Sequence, residues 1–254
     1  MQHVMFLVNS STGLGLVMVC GITTANGLNN SILTPRQHGF RTGHSCETQL
    51  VHAINDWTTA LDHGYRSDLA IFDFSKAFDS VPHQRLLVKL DHYGIRGKTK
   101  EWISSFLLER SQRVVLNGAQ SRFLPVLSGV PQGTVLGPLL FLLYITDGIS
   151  SEILLLADDC ILYRQIRAHV DCITLQRDIN KLHHWSRTWQ MAFNSKKCQI
   201  MTISRKRERP TLQYMLGDEH CLQLNHLHIL VLPSPVTSAG VSMSTIHLPK
   251  LQEP

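Results

Sequence analysis

Cysteine is scarce and widely spaced in this chain of 254 residues. Six cysteines are too few for a disulfide-stabilised scaffold, and no two of them form the C-x-x-C pair that is typical of a zinc site. They stand at positions 20, 46, 160, 172, 198 and 221. The composition therefore excludes a small disulfide-rich secreted domain and predicts free thiols in a reducing compartment.

Charged side chains are almost missing from both ends of the chain. Residues 1–35 contain no Asp, Glu, Lys or Arg, and residues 210–254 contain one basic and three acidic residues. The stretch 36–209 therefore holds 23 basic and 16 acidic residues, a net charge of +7 against +5 for the whole chain. With 43% hydrophobic and 17% charged residues, the chain is typical of a globular protein of one large or two small domains.

Neither end carries a clear targeting or membrane segment. The N-terminus is apolar but lacks the cationic start of a signal peptide, and a polar run at 9–12 interrupts it. A membrane span needs about 20 largely apolar residues, so a strand or helix packed on the core is favoured over a signal or anchor. The C-terminal tail has four prolines within 227–254 and no sustained period, and we expect it to be irregular or poorly ordered.

The central stretch alternates between helical and strand patterns. An amphipathic pattern from Leu50 to Leu61 predicts a helix, and the apolar run 69–72 predicts a buried strand. Apolar runs at 153–157 and 160–163 flank a pair of aspartates and predict a hairpin, which a long helix and a closing strand at 198–204 follow. The order predicts an α+β fold in which an antiparallel sheet carries helices on one face.

Three carboxylates stand at the ends of predicted strands: Asp73, Asp158 and Asp159. If the strands are neighbours in one sheet, the side chains converge at one edge, where like charges raise each other's pKa unless cations lie between them. Such oxygen ligands suit Mg²⁺, and two ions can hold the attacking and leaving oxygens of a phosphoryl transfer. Asp is also common in turns, where it binds its own backbone, so each aspartate taken alone also fits a structural role.

Five segments of the chain resemble, in order, the motifs of reverse transcriptases from non-LTR (LINE-type) retrotransposons. The fingers motif is QHGFRTGHS at 37–45, and the palm motifs are FDFSKAFDSVPH at 72–83, SGVPQGTVLGP at 128–138, ADD at 157–159 and WQMAFN at 189–194 with Lys197. The resemblance covers about residues 31–204. It implies a reverse transcriptase palm, with a ferredoxin-like antiparallel sheet, and a partial fingers region.

The resemblance also implies roles for the charged residues. Asp73, Asp158 and Asp159 match the carboxylates of a two-metal site, which would hold two Mg²⁺ ions, with Mn²⁺ as an alternative. Lys197 matches a lysine that approaches the leaving pyrophosphate as general acid or charge neutraliser. Arg41 matches a fingers position that contacts template phosphate or nucleotide. For Lys197 and Arg41, a solvated surface charge is an equal alternative.

Four further positions match the nucleotide-binding part of the family's site. The backbone carbonyl of Phe74 matches a further metal ligand. Phe78 matches the aromatic residue under the sugar, where a ring collides with a 2′-hydroxyl and selects deoxynucleotides; a core Phe at a helix start is the alternative. Gln132 and Gly133 match the loop beside the nucleotide and template, where glycine allows close backbone approach.

The implied activity is that of an RNA-directed DNA polymerase, a nucleotidyltransferase that binds an RNA template, a DNA primer and dNTPs. We expect no membrane association, and a location in the nucleus or cytoplasm rather than secretion. A non-catalytic nucleic-acid-binding remnant and an inert translated fossil are the alternative readings of function. A nucleotide cyclase on a similar palm would not explain the segments 37–45 and 128–138.

The chain departs from the family pattern at three places. Leu156 stands where the family has an aromatic residue, residues 1–30 match no fingers strand, and the tail lacks the helical thumb. We therefore expect a truncated copy in which residues 1–30 do not match, 31–209 form the palm and partial fingers, and 210–254 form a divergent tail without a thumb.

Overall fold

The structure is a computed structural model that describes residues 5–6, 33–41, 43–145, 153–205, 213–220 and 222–223. Its largest sheet has five strands. The helices are α1 (Cys46–Asp62), α2 (Ala77–Ser80), α3 (His83–His92), α4 (Gly97–Leu107), α5 (Leu136–Ile145) and α6 (His169–Trp189). The first six strands are β1 (Met5–Phe6), β2 (Arg66–Phe72), β3 (Ser111–Gln112), β4 (Val114–Leu116), β5 (Ala119–Gln120) and β6 (Leu124–Pro125). The others are β7 (Ile153–Leu156), β8 (Asp159–Ile166), β9 (Gln199–Ile203), β10 (Met215–Leu216), β11 (Glu219–His220) and β12 (Leu222–Gln223).

The strands of the central sheet lie in the order β12-β9-β2-β8-β7. β2 pairs antiparallel with both β8 and β9, whereas β12 adds parallel to β9. Phe72, the last residue of β2, lies opposite Cys160 of β8, and Leu156 of β7 lies opposite Asp159. This register brings the C-terminal end of β2 and the β7–β8 turn to the same end of the strands in the sheet. The antiparallel α+β sheet predicted from the sequence is confirmed.

Both faces of the sheet are covered, so the prediction of helices on one face is wrong. Successive residues of a strand point to opposite faces, and in β2 Leu69 packs with Ala53 and Leu61 of α1. Its neighbour Ala70 packs with the larger core that α3 to α6 form on the other side. The apolar run 69–72 contains no polar residue that would mark a solvent-facing side, which explains why the sequence did not reveal the second helical layer.

The helix α1 begins at a capping box in which Ser45 and Thr48 satisfy each other's backbone amides. The helix α5 is buried around most of its circumference, as expected for a segment that is apolar on every side. It contacts both the short helix α2 and helix α3. These contacts fix the segment between β2 and α3, which carries part of the candidate site.

The described part of the tail is ordered, which corrects the expectation for residues 213–220 and 222–223. β10 and β11 form a hairpin, and β12 joins the central sheet. The hydroxyl of Tyr214 donates to the buried Asp68 in β2 at 2.8 Å, and Thr202 of β9 donates to the same carboxylate at 2.9 Å. A buried carboxylate is stable only when it is hydrogen-bonded, so this contact attaches the segment to the sheet.

The ends of the chain lie largely outside the described residues. Near the N-terminus only β1 is described, and it pairs antiparallel with β4. The expectations for the remainder of 1–30 and for 224–254 therefore fall outside the description. Among the helices that are described, none combines the length and the apolar character that crossing a bilayer requires.

Candidate active site

The three predicted carboxylates lie at the same end of the central sheet, where β2 ends and β8 begins. Asp73 directly follows β2, Asp159 is the first residue of β8, and Asp158 lies in the turn that connects β7 to β8. The pKa of Asp159 is raised, first by partial burial and then by the negative charges of Asp158 and Asp73. The pairing of Phe72 with Cys160 places Asp73 and Asp159 at neighbouring strand ends, where their charges act on each other.

Lys197 reaches the same cluster. Its Nζ lies 3.3 Å from Oδ2 of Asp73, with 64% of the lysine side chain and 36% of the aspartate side chain exposed. The segment before Lys197 is attached to both sides of Asp73, because the amide of Asn194 donates to the carbonyl of Asp73 and the amide of Ser75 donates to the carbonyl of Ala192, each at 2.8 Å. The lysine is therefore held at the carboxylates by backbone pairing, and its own exposed ion pair adds little stability.

Phe74 is buried and belongs to an aromatic cluster under the site. Its ring stacks on Phe193 with centroids 4.6 Å apart and meets Trp185 edge-on at 6.1 Å. Phe74 and Phe193 also form a backbone bridge. The side chain is thus a packing element, and only its backbone is available for the carbonyl role that the resemblance implies.

Phe78 lies at the junction of the core and the fingers segment. Its half-buried ring stacks on Phe141 of α5, with centroids 4.3 Å apart and planes at 18°. On another side it meets the exposed ring of Phe40 edge-on at 6.2 Å. The stacking fixes the ring orientation, as a side chain that blocks a sugar hydroxyl would require.

The loop at 128–133 is clamped to the turn that follows β2. The amides of Gly129 and Val130 donate to the carbonyls of Val81 and Phe78, each at 2.8 Å. The carbonyl of Gly129 accepts from Nε2 of His83 at 2.9 Å and from Nη2 of Arg110 at 3.2 Å. Burial lowers the pKa of His83, which favours a neutral imidazole whose Nε2–H donates this bond.

Gln132 and Gly133 are exposed positions beyond this clamp, just before α5. Gly133 has φ +76°, and a methyl group built on it would meet no atom within 4 Å, so the backbone conformation and not a close contact explains the glycine. Among the described residues, no hydrogen bond joins Gln132 or Gly133 to any of the three carboxylates.

Arg41 uses its guanidinium within its own loop. Nη1 donates to the carbonyl of Thr34 at 2.8 Å and to that of Gln37 at 3.2 Å. The side chain is half-buried and shapes the fingers loop. Its predicted contact with nucleic acid stays a prediction.

The carboxylates fit a divalent cation in chemical type. They are hard oxygen donors, and partial burial together with the charges of Asp158 and Asp73 raises the pKa of Asp159, a cost that a cation would relieve. Within the described ranges, however, no three His, Cys, Asp or Glu side chains are already arranged around one ion position. Asp73, Asp158 and Asp159 are the residues that would hold such an ion.

Sequence reasoning assigned no role to Gln37 or His83, although both lie inside quoted motifs. Gln37 is fully buried against the β7–β8 turn, 120 residues away along the chain. His83 contacts the loop 46 residues away. Partners at such separations leave no local pattern, so only the three-dimensional structure reveals them.

The sequence matches the family model of the reverse transcriptase (RNA-dependent DNA polymerase) over residues 18–230. The matched range contains 31–209 and extends beyond it at both ends. The chain belongs to this family. The sequence-based identification as a reverse transcriptase domain of a non-LTR retrotransposon is confirmed.

Two relatives from Drosophila melanogaster support the assignment. The probable RNA-directed DNA polymerase from transposon X-element is 31% identical over 215 residues, which is 78% of this chain and 22% of that protein. The RNA-directed DNA polymerase from mobile element jockey is 29% identical over 182 residues, which is 67% of this chain and 20% of that protein. The chain thus spans about a fifth of the length of these relatives.

Among solved structures, the telomerase from Candida albicans in complex with a fragment of telomeric RNA aligns with 68% of this chain and 32% of its own. The sequence identity is 13% and the TM-score is 0.40.

Proposed function

We propose that this chain provides the catalytic palm of an RNA-directed DNA polymerase, which extends the 3′-hydroxyl of a DNA primer with dNTPs on an RNA template. The observation that carries the proposal is the convergence of Asp73, Asp158 and Asp159, with Lys197 3.3 Å from Asp73. Family membership supplies the reaction class.

In the proposed mechanism, the carboxylates bind the metal ions, Lys197 acts on the leaving group, and Phe78 selects the sugar. Asp73, Asp158 and Asp159 would hold two Mg²⁺ ions, which polarise the phosphoryl group and activate the primer hydroxyl when bound. Lys197, whose Nζ lies 3.3 Å from Oδ2 of Asp73, would neutralise or protonate the leaving pyrophosphate. The ring of Phe78, fixed by Phe141, would exclude ribonucleotides.

The remaining predicted residues complete the nucleotide and template contacts. The backbone carbonyl of Phe74 would add an oxygen ligand beside Asp73. Gln132 and Gly133 are exposed on the loop before α5, where they can meet the nucleotide or the template. Arg41 holds the fingers loop in shape and is proposed to contact phosphate through this loop.

Polymerisation is tested with poly(rA)–oligo(dT), dTTP and Mg²⁺, using the intact chain. The matched control replaces Asp158 and Asp159 with Asn, which conserves their shape and removes both charges. We expect incorporation to fall at least about 100-fold in the control, since metal-held charge stabilisation provides several kcal/mol. Incorporation equal to that of the control would overturn the catalytic proposal. Salt-dependent binding of the duplex without incorporation would favour a non-catalytic nucleic-acid-binding remnant.

A further inference from the structure

The fingers segment at 36–38 pairs with the outer edge of β7. The amide of His38 donates to the carbonyl of Leu155 at 2.8 Å, and the amide of Leu155 donates to the carbonyl of Arg36 at 3.1 Å. Gln37 and Leu155 form a parallel bridge between these two bonds. The segment therefore pairs with the outer side of β7 through one isolated bridge, directly beside the turn that carries Asp158.

The side chain of Gln37 continues this pairing onto the turn itself. Its Oε1 accepts from the amide of Ala157 at 3.1 Å, and its Nε2 donates a longer bond of 3.4 Å to the carbonyl of the same residue. Oε1 also accepts from the amide of Gly39 at 2.7 Å, which fixes the direction of the side chain. Gln37 is 0% exposed, so these bonds form away from competing water.

Ala157 needs such support because its backbone is strained. It has φ +56°, a left-handed conformation that is unfavourable for a residue with a Cβ. The carboxamide of Gln37 binds both polar groups of this residue, as a neighbouring strand would. Gly39 packs on the same backbone: a methyl group built on it would lie 2.9 Å from Cα of Ala157, so only glycine permits this approach.

The geometry points to Gln37 as a positioning residue that holds the turn bearing Asp158 and Asp159 in the conformation needed for polymerisation. The inference rests on the proposed function. The buried carboxamide holds the backbone of Ala157 from outside the site, without touching a reacting group.

The test compares Gln37→Met, which conserves length and removes both hydrogen-bonding groups, with Gln176→Met. Gln176 is a matched control because its carboxamide binds the backbone of Met215 in the same way, with two bonds of 2.9 Å, but at the β10–β11 hairpin. Amide hydrogen exchange of Ala157, followed by NMR, measures the positioning directly. We expect the exchange to become about tenfold faster in Gln37→Met and to stay unchanged in Gln176→Met.

Gln37→Glu provides a second variant that guards against a general loss of folding. It retains an oxygen that can accept from the amides of Ala157 and Gly39, and burial favours the protonated carboxyl group, whose hydroxyl can donate to the carbonyl of Ala157. Protection of Ala157 should therefore be largely restored. Equal protection of Ala157 in the wild type, Gln37→Met and Gln37→Glu would overturn the inference. Faster exchange throughout the central sheet of Gln37→Met, not restored in Gln37→Glu, would overturn it as well, because it would indicate a general packing role.

Cation dependence separates this inference from the proposed function. Binding of Mn²⁺ alone, followed by electron paramagnetic resonance, should weaken about three- to tenfold in Gln37→Met and not in Gln176→Met. In the incorporation assay, the Mg²⁺ concentration for half-maximal rate should rise by a similar factor. If the wild-type chain incorporates no dTTP, the proposed function fails, while altered exchange and Mn²⁺ binding in Gln37→Met would still support the positioning role. Unchanged Mn²⁺ binding together with unchanged Mg²⁺ dependence would overturn it.

Discussion

Asp159 shows at the scale of one residue how the candidate site opposes stability. Burial and two neighbouring carboxylates raise its pKa, so the native protein binds this proton more tightly than the unfolded chain does. Ionisation of Asp159 therefore destabilises the native state as the pH rises from the ordinary aspartate pKa through the raised one. The penalty is absent below the ordinary aspartate pKa and fully present above the raised one.

We predict that Asp159→Asn raises Tm by about 1–3 °C at pH 7. Interactions between partly exposed charges contribute about 0.2–1 kcal/mol, and in a chain of this length about 1 kcal/mol shifts Tm by about 2–4 °C. The same substitution should abolish incorporation. Thermal melts at pH 7 and at pH 3 measure the effect, and the gain should vanish at the lower pH. A Tm gain of the same size at both pH values would contradict the electrostatic explanation.

A second prediction concerns Phe78, whose ring stacks on Phe141. Phe78→Val should increase ribonucleotide incorporation relative to deoxynucleotide incorporation about 10–100-fold, because a smaller side chain leaves room for a 2′-hydroxyl. Competition assays with UTP and dTTP measure the ratio. Phe106→Val is the matched control, since Phe106 also stacks on a ring, that of Trp102 in α4, with centroids 5.7 Å apart. An unchanged ratio in Phe78→Val would show that Phe78 only packs on the core.

At the scale of elements, the loop at 128–130 and the turn after β2 behave as one unit. Gly129 has φ +90°, and a methyl group built on it would lie 2.8 Å from Cα and O of Asp79. Gly118, in the β4–β5 turn, has φ +82° but an open surrounding. A comparison of the two glycines therefore distinguishes the cost of backbone strain alone, at Gly118, from the cost of strain plus a steric clash, at Gly129.

We predict that Gly118→Ala destabilises the protein by about 1 kcal/mol, through strain alone, and Gly129→Ala by about 2–4 kcal/mol, since the clash adds to the strain. Urea unfolding at equilibrium gives both values. Gly129→Ala should also reduce incorporation, because the loop would move away from Phe78. Equal destabilisation by the two substitutions would mean that the loop can shift at little cost.

The elements themselves were largely predictable from local pattern. The amphipathic spacing from Leu50 to Leu61 lies within α1, and the apolar runs around Asp158 and Asp159 form β7 and β8. The layer on which α1 packs was not predictable, because β2 is apolar on both faces and periodicity carries no information about direction. The convergence of the carboxylates followed from the motifs, whereas the contacts of Gln37 and His83 depend on long-range pairing.

At the scale of the whole molecule, a buried polar network attaches the segment after residue 212 to the sheet. Tyr214 and Thr202 both donate to Asp68, which is 0% exposed. Arg66 lies 3.4 Å from the same carboxylate. Loss of one donor leaves a buried charge less well satisfied.

We predict that Tyr214→Phe destabilises the protein by about 1.5–3 kcal/mol, the usual contribution of a hydrogen bond to a charged group. Tyr65→Phe is the control, because the ring of Tyr65 packs on His63 and Arg167 and would be retained. Urea unfolding should show a lower midpoint with an unchanged m-value. A midpoint equal to that of Tyr65→Phe would indicate that the hydrogen bond from Tyr214 to Asp68 contributes nothing to global stability.

The pairing of residues 36–38 with β7 also bears on solubility. β7 is the last strand of the central sheet, and its sequence, Ile-Leu-Leu-Leu, has no charge or proline to discourage a second copy from adding to it. Exposed apolar edges of this kind promote aggregation. The backbone bonds of Leu155 to Arg36 and His38 occupy this edge, so the fingers segment that supports the aspartate turn also keeps the sheet from growing between molecules.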